Sequence, residues 1–99
     1  MKTTFYEKDG KYIATLEGRL DTASAEKTEK ELSVLKDCIG HDIIIDCEKL
    51  EYISSSGLRI LLAIKKNAIV AGSKVSLINL NDEIMKVFKV TGFDDIFNI

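Results

Sequence analysis

The spacing of apolar residues predicts two strands at the start of the chain, followed by alternating helices and strands. Residues 3–7 and 11–17 predict two strands around Lys8-Asp9-Gly10, in which Asp-Gly is typical of hairpin turns because glycine tolerates positive φ, and the second strand alternates in polarity. A helix is predicted from residue 22 to about residue 36, with Asp21 as its N-cap. Its inward face recurs at spacings of three and four and consists of Ala25, Thr28, Leu32 and Leu35.

The middle of the chain predicts a buried parallel strand at residues 42–47. The run Ile43-Ile44-Ile45 is β-branched and does not alternate, a pattern typical of a strand covered on both faces. Residues 74–80 predict another strand. Residues 93–99 predict a short last strand or a docked segment.

Two more helices are predicted on either side of the strand at residues 74–80. The first begins at Ser55 or Ser56 and ends at Val70, and it is apolar nearly all round, because Ile60 and Ile64 lie away from its main stripe. We therefore expect either a second layer of structure or a binding partner to cover it. The second helix begins after Asn81 and ends at Gly92.

This order of elements predicts the fold class. It is α/β, with a mixed sheet of about five strands, a parallel centre and an N-terminal antiparallel hairpin, packed with three to four helices. The 99 residues, 45% of them apolar, suit a single domain spanning residues 1–99.

Charge and composition exclude several classes of partner. The net charge is −2 with acidic and basic residues intermixed, which argues against direct nucleic-acid binding. No apolar run approaches the ~20 residues that span a bilayer, and residues 1–11 lack the apolar core of a secretory signal. We therefore expect a cytoplasmic protein without a membrane partner, in which Cys38 and Cys47 are reduced thiols.

Three consecutive serines, Ser54, Ser55 and Ser56, precede Gly57 at the predicted start of a helix. A helix N-terminus has unpaired N–H groups and a positive dipole end, so these hydroxyls suit either helix capping or phosphate. The spacing by itself favours ordinary capping. Arg59 lies one helical turn after Ser55, within reach of a phosphate or of a partner's carboxylate.

Catalysis by the chain itself fits these residues poorly. The single histidine, His41, begins the central strand, whereas the serines follow its far end roughly 20 Å away, too far for a general base. Neither a nucleophile-elbow spacing nor a P-loop is present. Asp21 and Asp46 form a carboxylate pair only if the fold brings them together. We expect no enzyme activity, no cofactor and no metal site.

Three short segments carry a family resemblance. They are Asp46 followed by YISSSGL at residues 52–58, GRLD at residues 18–21, and TGFDDIF at residues 91–97. In this order they resemble the signature of STAS domains, closest to the small bacterial anti-sigma factor antagonists. The archetypes of that group have an aspartate where this chain has Ser54.

The resemblance implies a binding protein whose affinity is switched by phosphorylation. Unphosphorylated, it would sequester an anti-sigma factor with serine kinase activity and so release a sigma factor. The kinase would phosphorylate Ser55, with Ser54 and Ser56 as alternatives, and a Ser/Thr phosphatase would reset the cycle. The implied partner-binding residues are Asp21, Asp46, Ser54, Ser56, Gly57, Leu58 and Arg59.

A second hypothesis keeps the fold but not the phosphorylation. Some STAS-like domains sense small anions or nucleotides, or act as scaffolds. The helix N-terminus would then hold a bound anion, with a nucleotide as a possible ligand.

Overall fold

The fold is described by a computed structural model that covers residues 1–37 and 40–99, so Cys38 lies outside the described residues. In chain order the elements are β1 (Lys2–Lys8), β2 (Lys11–Leu20), α1 (Thr22–Leu32), a 3₁₀ turn (Ser33–Asp37), β3 (Ile43–Ile53), α2 (Ser55–Val70), β4 (Val75–Ile78), α3 (Asp82–Thr91) and α4 (Phe93–Phe97).

The strands form one mixed sheet in the order β1-β2-β3-β4. β1 pairs with β2 in antiparallel fashion, whereas β2–β3 and β3–β4 are parallel pairs. Asp9 and Gly10 both have positive φ, 52° and 76°, as the tight hairpin turn requires. The predicted antiparallel hairpin and parallel centre are therefore confirmed.

The prediction of a fifth strand at the C-terminus is wrong for the described residues, which form four strands. Residues 93–97 form helix α4, and Phe97 packs its ring against Phe88 with centroids 5.8 Å apart. Phe93, Ile96 and Phe97 follow a helical spacing of three and four. Docking of this segment against the core, the other expectation, is confirmed because Phe97 is buried.

Strand β3 is longer than predicted. It continues past Cys47 to Ile53, because Leu50 and Ile53 remain buried although polar residues separate them. Its pairing with β2 shifts register between Thr15 and Glu17 and again after Gly18, which allows this irregular burial pattern. The serines therefore follow Ile53 directly, and Asp46 lies seven residues before the strand ends.

The helices cover one face of the sheet, which corrects the expectation that β3 is covered on both. Ile43 and Ile45 are buried against the helices, whereas Ile44 between them is half-buried. Ile78, on the same face as Ile44, is 38% exposed. The three consecutive isoleucines of β3 therefore do not indicate a second layer of structure on the other face of the sheet.

Helix α2 is covered on its second apolar side by α1 and the 3₁₀ turn. Ile60 and Ile64 are consequently buried, and the exposed apolar residues, Ile69 and Val70, lie at the end of the helix far from the serines. The alternative of a second structural layer is therefore correct for this helix. In the part of the chain described, no helix combines the length and apolar character needed to cross a membrane.

The first turn of α2 approaches the sheet closely at Gly57. A Cβ atom at this position would lie 2.7 Å from Leu20 Cγ, 2.8 Å from Ile53 Cγ1 and 3.0 Å from the Leu20 carbonyl oxygen. Real Cβ atoms do not approach other atoms so closely, so glycine is required here by packing and not by its backbone angles.

We predict that Gly57→Ala destabilises the protein by about 1–3 kcal/mol through this overpacking. Helix propensity alone would make alanine more stable than glycine by about 1 kcal/mol. A decrease in the free energy of unfolding would therefore show that overpacking outweighs helix propensity. Chemical denaturation measures the free energy of unfolding, with Ser56→Ala as the control one residue earlier. Stabilisation by Gly57→Ala would contradict the close approach.

Burial controls the chemistry of Cys47, whose side chain is inaccessible in β3. Desolvation, helped by the nearby charge of Asp46, raises the pKa of this thiol from 9.0 to about 12. Because the pKa of this thiol is higher in the folded than in the unfolded state, its contribution to the stability of the fold is complete at pH values below the unfolded-state pKa. That contribution is lost as the pH rises towards 12.

We predict that Cys47 resists thiol reagents in the folded protein. In a Cys38→Ser background at about pH 8.5, where a free thiol is half ionised, modification should proceed no faster than unfolding and become rapid in denaturant. Rapid modification without denaturant would show that the thiol is accessible. The folded state of the background variant is checked by circular dichroism.

Candidate functional site

Ser54 links the end of the sheet to the start of α2. Its N–H donates to the Leu20 carbonyl oxygen at 2.8 Å, and its hydroxyl oxygen accepts from the Gly57 N–H at 3.2 Å. With extended backbone angles of −92° and 173°, it is the N-cap of the helix. Capping, the ordinary role of a serine here, is therefore performed by Ser54.

Ser55 has a different environment although it is the next residue. It is exposed, and its hydroxyl forms no hydrogen bond with any residue in 1–37 or 40–99. Ser56 is half-buried at the groove between α1 and α2. Of the three hydroxyls, that of Ser55 is the one presented to solvent and not engaged in capping.

The electrostatic surroundings of Ser55 favour negative charge. It occupies the first turn of α2, where backbone N–H groups lack helical partners and the helix dipole is positive. No acidic residue belongs to this first turn. A phosphate on the Ser55 oxygen would therefore be stabilised by the helix.

Asp21 and Asp46, the two predicted carboxylates, have separate structural roles. Asp21 is the N-cap of α1, and its Oδ1 accepts from the Ser24 N–H at 3.0 Å. That hydrogen bond is the main reason why the pKa of Asp21 is lowered. Asp46 accepts hydrogen bonds from the Glu48 N–H at 3.0 Å and from Asn79 Nδ2 at 3.1 Å.

The fold does not bring these carboxylates together as a pair. Asp21 follows the end of β2, whereas Asp46 lies in the body of β3 on the face that the helices leave open. Asp21 is thus close to the serines through the Ser54–Leu20 hydrogen bond, and Asp46 is not. The strand predicted at residues 42–47 would place Asp46 at its end, before the serines, and this prediction is wrong because β3 continues to Ile53.

The other predicted partner-binding residues divide between core and surface. Gly57 is buried against Leu20, and the Leu58 side chain is 3% exposed and packs in the core. Arg59 is exposed and lines the groove between α1 and α2 together with Glu29 and Ser56. Ser56 and Arg59 are therefore accessible beside Ser55, whereas Gly57 and Leu58 are buried and pack the first turn of α2 against the core.

Two residues near the serines escaped the sequence analysis as site residues. The Arg19 guanidinium lies over the Tyr52 ring, 4.3 Å from its centroid, and Arg19 Nε is 3.9 Å from Asp21 Oδ2. Arg19 and Tyr52 are register partners near the ends of β2 and β3. Their positions inside GRLD and YISSSGL were visible in the sequence, but the pairing of the two segments was not.

His41 lies at the opposite end of the sheet from Ser55. Its Nδ1 is 3.1 Å from the Gly10 carbonyl oxygen and its ring contacts Tyr12 edge-on. The eleven residues of β3 separate it from the serines, about 35 Å at ~3.3 Å per residue. Among the described residues, no three His, Cys, Asp or Glu side chains come together as a metal site.

The comparison with protein families decides the identity of the fold. The model of the STAS domain matches residues 2–99. The chain belongs to the STAS domain family. The resemblance inferred from the three segments is therefore confirmed.

Relatives of this STAS domain include anti-sigma factor antagonists. A Bordetella bronchiseptica protein, BtrV, which is named as a candidate anti-sigma factor antagonist, is 35% identical over 99 residues, covering 100% of this chain and 85% of BtrV.

Solved structures of similar fold carry the same description. An anti-sigma factor antagonist from Mycobacterium paratuberculosis has a TM-score of 0.83 at 23% identity, over 97% of this chain and 81% of that one. Phosphorylated SpoIIAA from Bacillus has a TM-score of 0.72 at 21% identity, over 95% and 86% of the two chains. Unphosphorylated SpoIIAA gives 0.70 at 21% identity, over 89% and 82%. These likenesses establish the shared fold.

We predict different stability effects at adjacent serines. Ser54→Ala removes the hydrogen bond to the Gly57 N–H and should cost about 1 kcal/mol. Ser55→Ala removes a hydroxyl without a partner and should change stability by less than about 0.5 kcal/mol. Chemical denaturation of both variants tests this pair, and a larger loss for Ser55→Ala would assign the capping role to Ser55 instead.

Proposed function

We propose that this STAS domain is an anti-sigma factor antagonist whose binding is switched off by phosphorylation of Ser55. In the unphosphorylated form it sequesters an anti-sigma factor that is also a serine kinase, so that a sigma factor is released. The names of the relatives support the antagonist role, and the solved phosphorylated form of SpoIIAA supports the kind of switch.

The exposed hydroxyl of Ser55 is the observation that carries the proposal. A kinase must reach its acceptor oxygen, and Ser55 is exposed whereas Ser54 is engaged as a cap. Because the neighbour supplies the cap, modification of Ser55 leaves the helix start intact. The candidate phosphorylation site therefore lies where charge can change without loss of the fold.

The proposed reaction transfers the γ-phosphoryl group of ATP to Ser55. The Ser55 oxygen forms the new bond to phosphorus, the bond to ADP breaks, and the hydroxyl proton passes to a base of the kinase. The product carries about −1.5 to −2 charges at neutral pH. At a helix N-terminus this charge stabilises the helix, so the switch acts on the surface that the partner contacts.

The partner surface we propose surrounds Ser55. Asp21, Ser54, Ser56 and Arg59 are its accessible or half-accessible members among the expected residues, while Gly57 and Leu58 hold the backbone beneath them. A Ser/Thr phosphatase resets the domain. We place the single domain, residues 1–99, in the cytoplasm, where sigma factors act.

Phosphorylation is tested with an anti-sigma factor kinase purified from the organism that encodes this chain. Incubation with ATP followed by mass spectrometry should locate one phosphate on Ser55, and Ser55→Ala should abolish it. Ser54→Ala and Ser56→Ala are the matched controls and should retain it. Phosphate only outside residues 54–56 would refute the proposal.

We further predict that Ser55→Asp weakens binding to the same anti-sigma factor by about tenfold or more. The melting temperature should change by less than about 4 °C, and upward if at all, since a negative charge suits the helix N-terminus. Calorimetry measures binding, with Ser55→Asn as the uncharged control of similar size. Equal weakening by Asn and Asp would show that shape, and not charge, controls binding.

A further inference from the structure

Strand β1 forms one edge of the sheet and has no neighbouring strand on its outer side among the described residues. The two-residue hairpin turn makes Lys8 and Lys11 a hydrogen-bonded pair, and in an antiparallel ladder such pairs alternate with pairs that are not bonded. The backbone N–H and C=O groups of Thr3, Phe5 and Glu7 therefore point outwards, where no described residue bonds to them. A segment in extended conformation can pair with these groups as an additional strand.

The opposite edge of the sheet, formed by β4, is less accessible. The Ile43 N–H donates to the Lys74 carbonyl oxygen at 2.8 Å, so the backbone groups of β4 that point outwards belong to Val75 and Leu77. Both of these residues are only 5% exposed, whereas Phe5 at the other edge is 38% exposed. The edge to which a further strand can be added is therefore that of β1.

An apolar groove of about 380 Å³ lies beside this edge, between β1 and the 3₁₀ turn. The residues that line it include Phe5, Tyr12, Val34 and Leu35. Phe5 is directed to this side of the sheet because its register partner, Ala14, is buried in the core. Glu7 is the one charged side chain that the described lining contains. Opposite residues of paired strands point to the same face, so an apolar side chain opposite Phe5 would enter the groove.

Lysines stand at both ends of β1, on the open face of the sheet. Lys2 and Lys8 are exposed and have no ion pair within the described residues, although Lys2 lies opposite Glu17. The register partner of Lys8 on β2 is Lys11, so two like charges lie side by side, which is unfavourable. Acidic residues opposite Lys2 and Lys8 in an added strand would offset this repulsion and complement both ends of β1.

A second copy of this chain fits the edge less well than a strand with acidic ends. Antiparallel pairing of β1 with its copy about a two-fold axis at Phe5 matches all seven residues, but it places Lys2 of each copy opposite Lys8 of the other. Moving the axis by one residue avoids this contact and leaves two residues of each strand unpaired. A complementary strand from a different protein pairs along the full length without contacts between like charges.

We propose that the outer edge of β1 binds an extended segment of another protein, which adds to the sheet as a further strand. The segment carries an apolar side chain at its centre, opposite Phe5, and acidic side chains opposite Lys2 and Lys8. Backbone hydrogen bonds to β1 supply the affinity, while the groove and the two lysines select the side chains.

This docking site is separate from the candidate phosphorylation site. Tyr12, which lines the groove, pairs with Ile43 at the start of β3, whereas Ser55 follows the end of that strand. The partner at the β1 edge is therefore held independently of the surface around Ser55, so that the domain can contact two proteins at once.

A synthetic peptide with the proposed chemistry tests the site on the full chain. Acetyl-ETVLVTE-amide has a central leucine and places its two glutamates at the same separation as Lys2 and Lys8, and it reads the same in both directions. On titration, NMR of the isotope-labelled protein should show that the amides of Thr3, Phe5 and Glu7 shift and become protected from hydrogen exchange. Acetyl-KTVLVTK-amide, the matched control, should bind at least about tenfold more weakly.

Variants of the chain separate the backbone contribution from the charge contribution. Glu7→Pro removes an outward N–H and no hydrogen bond to β2, and proline is tolerated at such edge positions, so binding should weaken at least about tenfold in a folded protein. Glu7→Ser keeps the N–H and should retain binding. Lys2→Glu combined with Lys8→Glu should reverse the preference between the two peptides. Circular dichroism checks that each variant is folded.

Three results would overturn the proposal. The first is that no β1 amide responds to the acidic peptide at millimolar concentration, and the second is that both peptides bind equally well. The third is a dimer of the chain alone in sedimentation equilibrium that Glu7→Pro dissociates, since the edge would then belong to a second copy. None of these results bears on phosphorylation of Ser55, which the kinase experiment tests separately.

Discussion

The close contact between the backbone of Gly57 and the end of β2 is the constraint on which the rest of the site depends. With no side chain at position 57, the first turn of α2 rests on Leu20 and Ile53, and the Ser54 N–H reaches the Leu20 carbonyl oxygen. The helix therefore begins as soon as β3 ends. This abrupt join turns the Ser54 hydroxyl inward to its cap and leaves Ser55 outside.

The direct connection from β3 to α2 also gives two adjacent serines different roles: Ser54 caps the helix, and Ser55 is exposed. Ser54 satisfies a backbone donor that would otherwise be unpaired, so the start of the helix does not require Ser55. The remaining positive potential of the helix end is available to a negative group on the exposed hydroxyl. A modification of Ser55 can thus change the surface charge strongly at little cost to stability, which is what a reversible switch needs.

Packing of α1 on α2 determines what kind of surface surrounds that hydroxyl. Ile60 and Ile64 are used inside the domain, and the exposed apolar residues Ile69 and Val70 lie at the far end of α2. The expected apolar docking face beside Ser55 is therefore absent from the described residues. The accessible neighbours of Ser55 on α2 are instead the polar side chains of Ser56 and Arg59.

The sequence by itself determined the local elements: the Asp9-Gly10 hairpin, the capped helices and the serines at the start of α2, because turns, caps and periodicity depend on near neighbours. It misjudged β3, since polar residues between Cys47 and Ile53 concealed its length. Only the tertiary structure decided which serine caps the helix and which one is exposed. That outcome depends on contacts between segments distant in sequence, such as Leu20 with Gly57, which no local pattern predicts.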